Sequence, residues 1–189
     1  MFPISILRGA PNPDAMPVLK TTEYPWTDGS FRPLGHARCA AVDGAGLYFE
    51  LVFFEREPAC APRVLDGSCM AASFDFFPGA ADRVLTVAAA PDGRLETFLN
   101  GEAHPLPLQS SVFAGEDEQG WYHGVRFYIP EAVLTAVYGR SKIADGHRMK
   151  GNIYKFKRAG SDSHMGAVAP MTEESIFSPR NLSDFIAVR

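Results

Sequence analysis

Apolar and polar positions alternate with a period of two in several short runs, and Gly, Pro, Asp and Asn separate the runs. In Gly46–Glu55 (GLYFELVFFE), Leu47, Phe49, Leu51 and Phe53 fall on one face. In 121–129 (WYHGVRFYI), Trp121, Val125, Phe127 and Ile129 share one face, while Tyr122, Arg126 and Tyr128 share the other. The apolar sets predict core-facing sides, and Trp121 is expected in the core with them. Val84–Ala89, the turn Pro91-Asp92-Gly93 and Leu95–Leu99 read as a hairpin. Asn100-Gly101 marks a further turn, and Phe185–Val188 reads as the last strand. In 147–158 (HRMKGNIYKFKR), Met149, Gly151 and Ile153 share the core side, and Asn152, Tyr154, Phe156 and Arg158 share the opposite one.

Only one segment has helical spacing. Pro130-Glu131 opens it, Val133, Leu134, Val137 and Tyr138 form its stripe, and Gly139 can cap its end. About nine or ten short strands with one short helix predict an all-β, single-domain β-sandwich over residues 1–189, closed as a jelly roll or as an immunoglobulin-like relative. A lipocalin-like barrel is the second arrangement. Parallel α/β folds are disfavoured because they need a helix after nearly every strand. A chain of 189 residues can bury roughly 70% of its unfolded surface in one domain.

Composition narrows the partners. A net charge of −4 offers no basic surplus for phosphates, which argues against nucleic acid. No apolar run approaches the length of a membrane span. The start MFPISILRGAPNP lacks the charged-then-apolar pattern of a signal peptide, so the chain as written is expected to be cytoplasmic. Cys39, Cys60 and Cys69 are odd in number, fit no metal spacing and are expected to be reduced.

Catalytic motifs are absent: there is no P-loop, Rossmann glycine pattern, nucleophile elbow or HExxH. His36 and Cys39 in GHARC would point to opposite faces of a strand, so they do not form a base–nucleophile pair. The cluster Glu116-Asp117-Glu118 reads as a solvated turn. Saccharide hydrolysis would need two carboxylates across a cleft; Glu50 and Glu96 lie on strands, but their spacing does not bring them together. The residues favour binding instead. The face carrying Asn152, Tyr154 and Arg158 mixes aromatic surface with donors, as a wall for a small polar ligand would. Trp26, in the Pro- and Gly-flanked EYPWTDG, is a candidate stacking platform.

Four stretches carry a resemblance. They are SCMAASFDFFP at 68–78, GWYHGVRFYIPEAVL at 120–134, HRMKGNIYKFKRAGSDSHMGAVAPM at 147–171 and FSPRNLSDFIAV at 177–188. In order and spacing, from about residue 20 to the end, the chain resembles the carbohydrate-binding module family 9-like domains, in particular the stand-alone bacterial type. The resemblance implies a β-sandwich without catalytic residues. Such domains bind sugars between aromatic rings, and some carry structural calcium. Taken with the residues, it gives an expected ligand site of Asn152, Tyr154, Arg158, His164 and Trp26, with Tyr154 stacking and Asn152, Arg158 and His164 hydrogen-bonding hydroxyls. The chain departs from the family pattern at Val168, which stands where an aromatic is expected, at Ala71 and Thr86–Ala88, which replace carboxylate and amide positions, and at Ser178, which replaces a histidine. Alanines in place of ligand-binding polar groups imply that this face has been covered or repurposed. A second reading makes the Ala-rich face of Ala71 and Ala88, with Phe74 nearby, a surface for protein partners or a homo-oligomer.

Overall fold

The computed structural model describes residues 1–27, 32–55, 57–80, 83–118, 120–158 and 162–189. Among them thirteen strands and one α-helix form. In chain order these are β1 (Phe2–Leu7), β2 (Leu19–Lys20), β3 (Gly35–Val42), β4 (Gly46–Phe54), β5 (Ser68–Asp75), β6 (Leu85–Ala89), β7 (Leu95–Leu99), β8 (Glu102–Ala103), β9 (Ser110–Asp117), β10 (Gly120–Pro130), α1 (Glu131–Tyr138), β11 (Arg148–Lys157), β12 (His164–Ala167) and β13 (Ser183–Val188).

Hydrogen bonding runs continuously through β8-β7-β6-β5-β11-β13-β1-β3-β4-β10-β9, with β12 added to β11 and β2 to β3. The sheet curls so that β5, β6 and β11 face β3, β4 and β10 across one apolar core, giving the expected all-β sandwich-like fold. The alternating sets predicted for the core fill it, Trp121 excepted. Phe49 stacks on Phe127 with ring centres 5.2 Å apart, Phe74 stacks on Phe76 at 5.2 Å, and Phe49 meets Phe74 edge-on at 5.7 Å, so rings from both layers interlock. Gly151 is the residue that lets this happen on β11, since any Cβ there would run into the Phe74 ring.

Turn chemistry follows the sequence. Pro91-Asp92-Gly93 joins β6 to β7, with Gly93 at φ 88°. Asn100 (φ 52°) and Gly101 (φ 85°) both take the left-handed conformation between β7 and β8, as a primed hairpin turn demands. Helix α1 ends on Gly139 at φ 72°, whose N–H bonds the Thr135 carbonyl at 2.8 Å. Its apolar stripe closes one end of the core, where the Tyr138 hydroxyl donates to the Arg83 carbonyl at 3.0 Å.

Two features differ from expectation. The N-terminal run FPISIL forms β1, which pairs in parallel with both β13 and β3 and places Ile4 in the core. Pro3 masks this strand in the sequence, because proline cannot donate to a ladder. It is tolerated because pairing with β3 covers only Ser5–Leu7. Trp121 is 51% exposed, which corrects its core assignment. Alternation sets which side a residue faces, but on β10 the core-side positions are buried only from Val125 onward, at Val125, Phe127 and Ile129.

Candidate ligand-binding site

The outer face of β5, β6, β11 and β12 is sealed by the chain itself. Ala71, Ala88, Tyr154, Phe156 and Ala167 form a second apolar cluster with Val64, Leu65 and Ile176, which come from segments folded over the sheet. The polar residues under this cover serve as struts. Asn152 donates to the Ala169 carbonyl (3.1 Å) and the Asn181 carbonyl (2.9 Å), and its oxygen accepts from the Ala169 N–H (3.0 Å). Asn181 in turn accepts from the N–H groups of Thr172 and Glu173. Ser73, bonded by Thr86, donates to the Ile176 carbonyl at 3.0 Å. Asn152 and Tyr154 are therefore fully buried, which corrects their expected place on an open wall. Burial pushes the Tyr154 hydroxyl pKa up. Val168 packs into the main core, and Ala71 and Ala88 are covered from within the chain, so they offer no surface to a partner.

Beneath the rim of this seal lies an ionic cluster. Lys155, fully buried, donates to Glu55 at 2.7 Å; His164 Nε2 reaches the same carboxylate at 3.1 Å and lies 2.8 Å from Lys155 Nζ, while His164 Nδ1 donates to the Asp162 carbonyl at 2.8 Å. Burial would raise the Glu55 carboxyl, but hydrogen bonds from His164 and Lys155 hold it down at about 2. Burial lowers the Lys155 pKa, and Glu55 opposes the shift. With its side chain enclosed, His164 positions Lys155 and does not bond ligand hydroxyls as expected.

Two of the predicted ligand residues remain accessible. Trp26 (38% exposed) and Arg158 meet at a recess of about 300 Å³ that Glu174, Ser163 and Met165 also line, with His164 behind it. Thr27 fixes this segment to β12 through bonds to the Met165 carbonyl and N–H.

The opposite outer face, on β3, β4, β10 and β9, is covered in part, where Met16 packs on Ala40, Val42 and Tyr48, and is open around Arg38, Glu50 and Arg126. Register places Arg38, Glu50 and Arg126 side by side across three strands. Glu50, 2% exposed, bonds Arg38 Nη1 at 2.8 Å through one oxygen and Arg126 Nε at 2.8 Å through the other. Alongside run His36, Val52 and Gly124, then Phe54 and Tyr122, around a trough of about 340 Å³. Asp117 and, from the N-terminal loop, Asp14 form its rim. Two glycines let aromatic rings lie flat here: Phe113 covers Gly124 and Tyr122 covers Gly115, each so closely that a Cβ would collide with the ring. The Arg126 guanidinium sits 4.1 Å from the Phe113 ring centre. Burial, then the neighbouring Arg38 charge, lower the His36 pKa to about 4, so this ring is neutral at pH 7.

Alternation sets Tyr122, Arg126 and Glu50 off the core faces but does not join them, because joining them needs the pairing of β3, β4 and β10. Glu50 and Glu96 point away from each other: Glu50 faces out from one layer, and Glu96, opposite Ala88 on the other, accepts from the Val64 N–H at 3.0 Å. Among the described residues no three His, Cys, Asp or Glu side chains gather as a metal site. Among them, too, no helix is long and apolar enough to cross a membrane.

No family model matches the chain, and no curated protein matches it. A solved structure from Bacteroides uniformis ATCC 8492, of a protein named for a proposed carbohydrate-binding role, has the same fold: TM-score 0.77 and 19% identity, over 98% of both chains.

Proposed function

We propose that this protein is a non-catalytic binding domain for a saccharide, akin to the family 9-like carbohydrate-binding modules, and that its ligand face is the open trough on β3, β4, β10 and β9. One observation carries the reading. Glu50 is enclosed between two guanidinium groups beside the flat rings of Phe113 and Tyr122, in a recess wide enough for a sugar ring. Carbohydrates present an apolar C–H face and a rim of hydroxyls. Aromatic surface takes the first, and guanidinium and carboxylate groups take the second. The name of the structural neighbour supports the same class of ligand. Asn152 and Tyr154, sealed inside, are left out of the site.

Amide NMR of the full chain during titration with mono- and oligosaccharides tests the proposal. The expected result is movement of the Arg38, Glu50, Tyr122 and Arg126 resonances, and about tenfold weaker binding in Tyr122→Ser at unchanged melting temperature. If every saccharide leaves those resonances still, the trough is not the ligand face. A second contact region is favoured by the exposed Trp26 ring beside Arg158 and Glu174. In a Trp121→Phe background, Trp26 fluorescence reports it directly, and an emission unmoved by every saccharide removes it.

A further inference from the structure

We infer that the ligand of the trough carries a carboxylate: the geometry points to an acidic sugar, a hexuronate, in preference to a neutral hexose. The inference rests on the trough being the ligand face. Its floor holds two guanidinium groups and one carboxylate, a surplus of one positive charge. Arg38 bonds Glu50 and His36 through Nη1, and its Nε is buried without a partner among the described residues. A guanidinium carries five N–H donors; Arg126 also bonds Tyr48, and the exposed parts of both arginine side chains, 19% for Arg38 and 43% for Arg126, are what a ligand in the trough can reach. His36 adds no charge at neutral pH, and its lowered pKa reflects, after burial, the positive field of Arg38.

The remaining charges lie further out. Lys20 on β2 flanks His36, and the carboxylates of Asp14 and Asp117 stand exposed on the rim, where water and salt screen them. The arrangement is thus sorted by depth, with donors and surplus positive charge on the floor and acceptors at the edge. A hexuronate matches both levels. Its carboxylate meets Arg38 and Arg126, its hydroxyls meet Asp14 and Asp117, and its C–H face lies along Tyr122 and Phe113. A neutral hexose leaves the floor surplus uncompensated.

Calorimetric titration of the full chain with methyl glucuronide and methyl galacturonide, against the matching neutral glycosides and acetate, tests this. The uronides are expected to bind about tenfold tighter than the neutral glycosides at low salt, and the preference is expected to shrink at about 0.5 M salt. Arg126→Gln, at a side chain 43% exposed, is expected to erase the preference at unchanged melting temperature, and Arg126→Lys to keep part of it. Equal binding of uronides and neutral glycosides, both weakened by Tyr122→Ser, overturns the inference and leaves the trough as a saccharide site. Acetate binding as tightly as the uronides also overturns it, because the sugar ring then contributes nothing. If no glycoside binds, both readings fail together.

Discussion

The two outer faces of this curled sheet use the same kinds of residue to opposite ends. On the face of β5, β6, β11 and β12, polar side chains turn inward to the chain's own backbone: Asn152 and Asn181 pin the covering segment, and Ser73 holds Ile176. On the face of β3, β4, β10 and β9, the ion pairs of Glu50 with Arg38 and Arg126 border open solvent. The difference comes from what lies above each sheet. Alanines at 71 and 88 leave room for a covering segment, and once it closes, every polar group beneath must find a partner inside the protein. On the second sheet the charged groups of Arg38, Glu50 and Arg126 are strongly hydrated and costly to cover, so the part around them stays available, while Met16 closes over Ala40 and Tyr48 beside it.

The largest effect that could break this contrast is expected at the sealed side. Glu55→Ala leaves Lys155 buried without its counterion and should cost about 3–5 kcal/mol in urea unfolding. A cost below about 1 kcal/mol would show that the seal is as soft as the trough. The same side fixes one limb of the pH response. The folded Glu55 pKa, near 2, lies below its ordinary 4.5, so its contribution is present above pH 4.5 and lost as pH falls towards 2. The folded His36 pKa, near 4, lies below its ordinary 6.5, so the unfolded chain takes up the proton first and stability falls between pH 6.5 and 4. Melting curves against pH should show the trough-side loss at the higher pH, and His36→Gln should remove that limb alone.

Asn152→Ala should cost about 2–3 kcal/mol by stranding buried donors and acceptors, and should speed amide exchange at Ala169 while trough amides keep their rates. Uniform acceleration across both faces would mean that the covering segment is not a separate unit. Gly124→Ala should cost about 1 kcal/mol by lifting the Phe113 ring, and its main effect should be weaker saccharide binding. The smallest stability change, within about 0.5 kcal/mol, is expected for Trp26→Ala at its exposed loop.

Much of this architecture is legible in the alternation. Leu47, Phe49, Leu51 and Phe53 face the core as their spacing requires, the 84–99 hairpin turns at Asp92-Gly93, and α1 stops at Gly139. The alanines at 71 and 88 also foretell a covered face. The candidate site is less legible. Tyr154 and Asn152 read as an exposed wall because an outward-facing strand residue looks the same in sequence whether water or another segment lies above it. Arg38, Glu50 and Arg126 are separated by 12 and 76 positions, and only strand register makes them neighbours.

The sequence by itself determined which side of each strand faces the core, where the chain turns and that the fold is built from strands, because these depend on local periodicity and on backbone conformations few residues adopt. The tertiary structure alone decided which outer face is closed and which is open. That choice depends on the long covering segment between Val168 and Leu182 and on the pairing of strands far apart in the chain, and no local pattern records either.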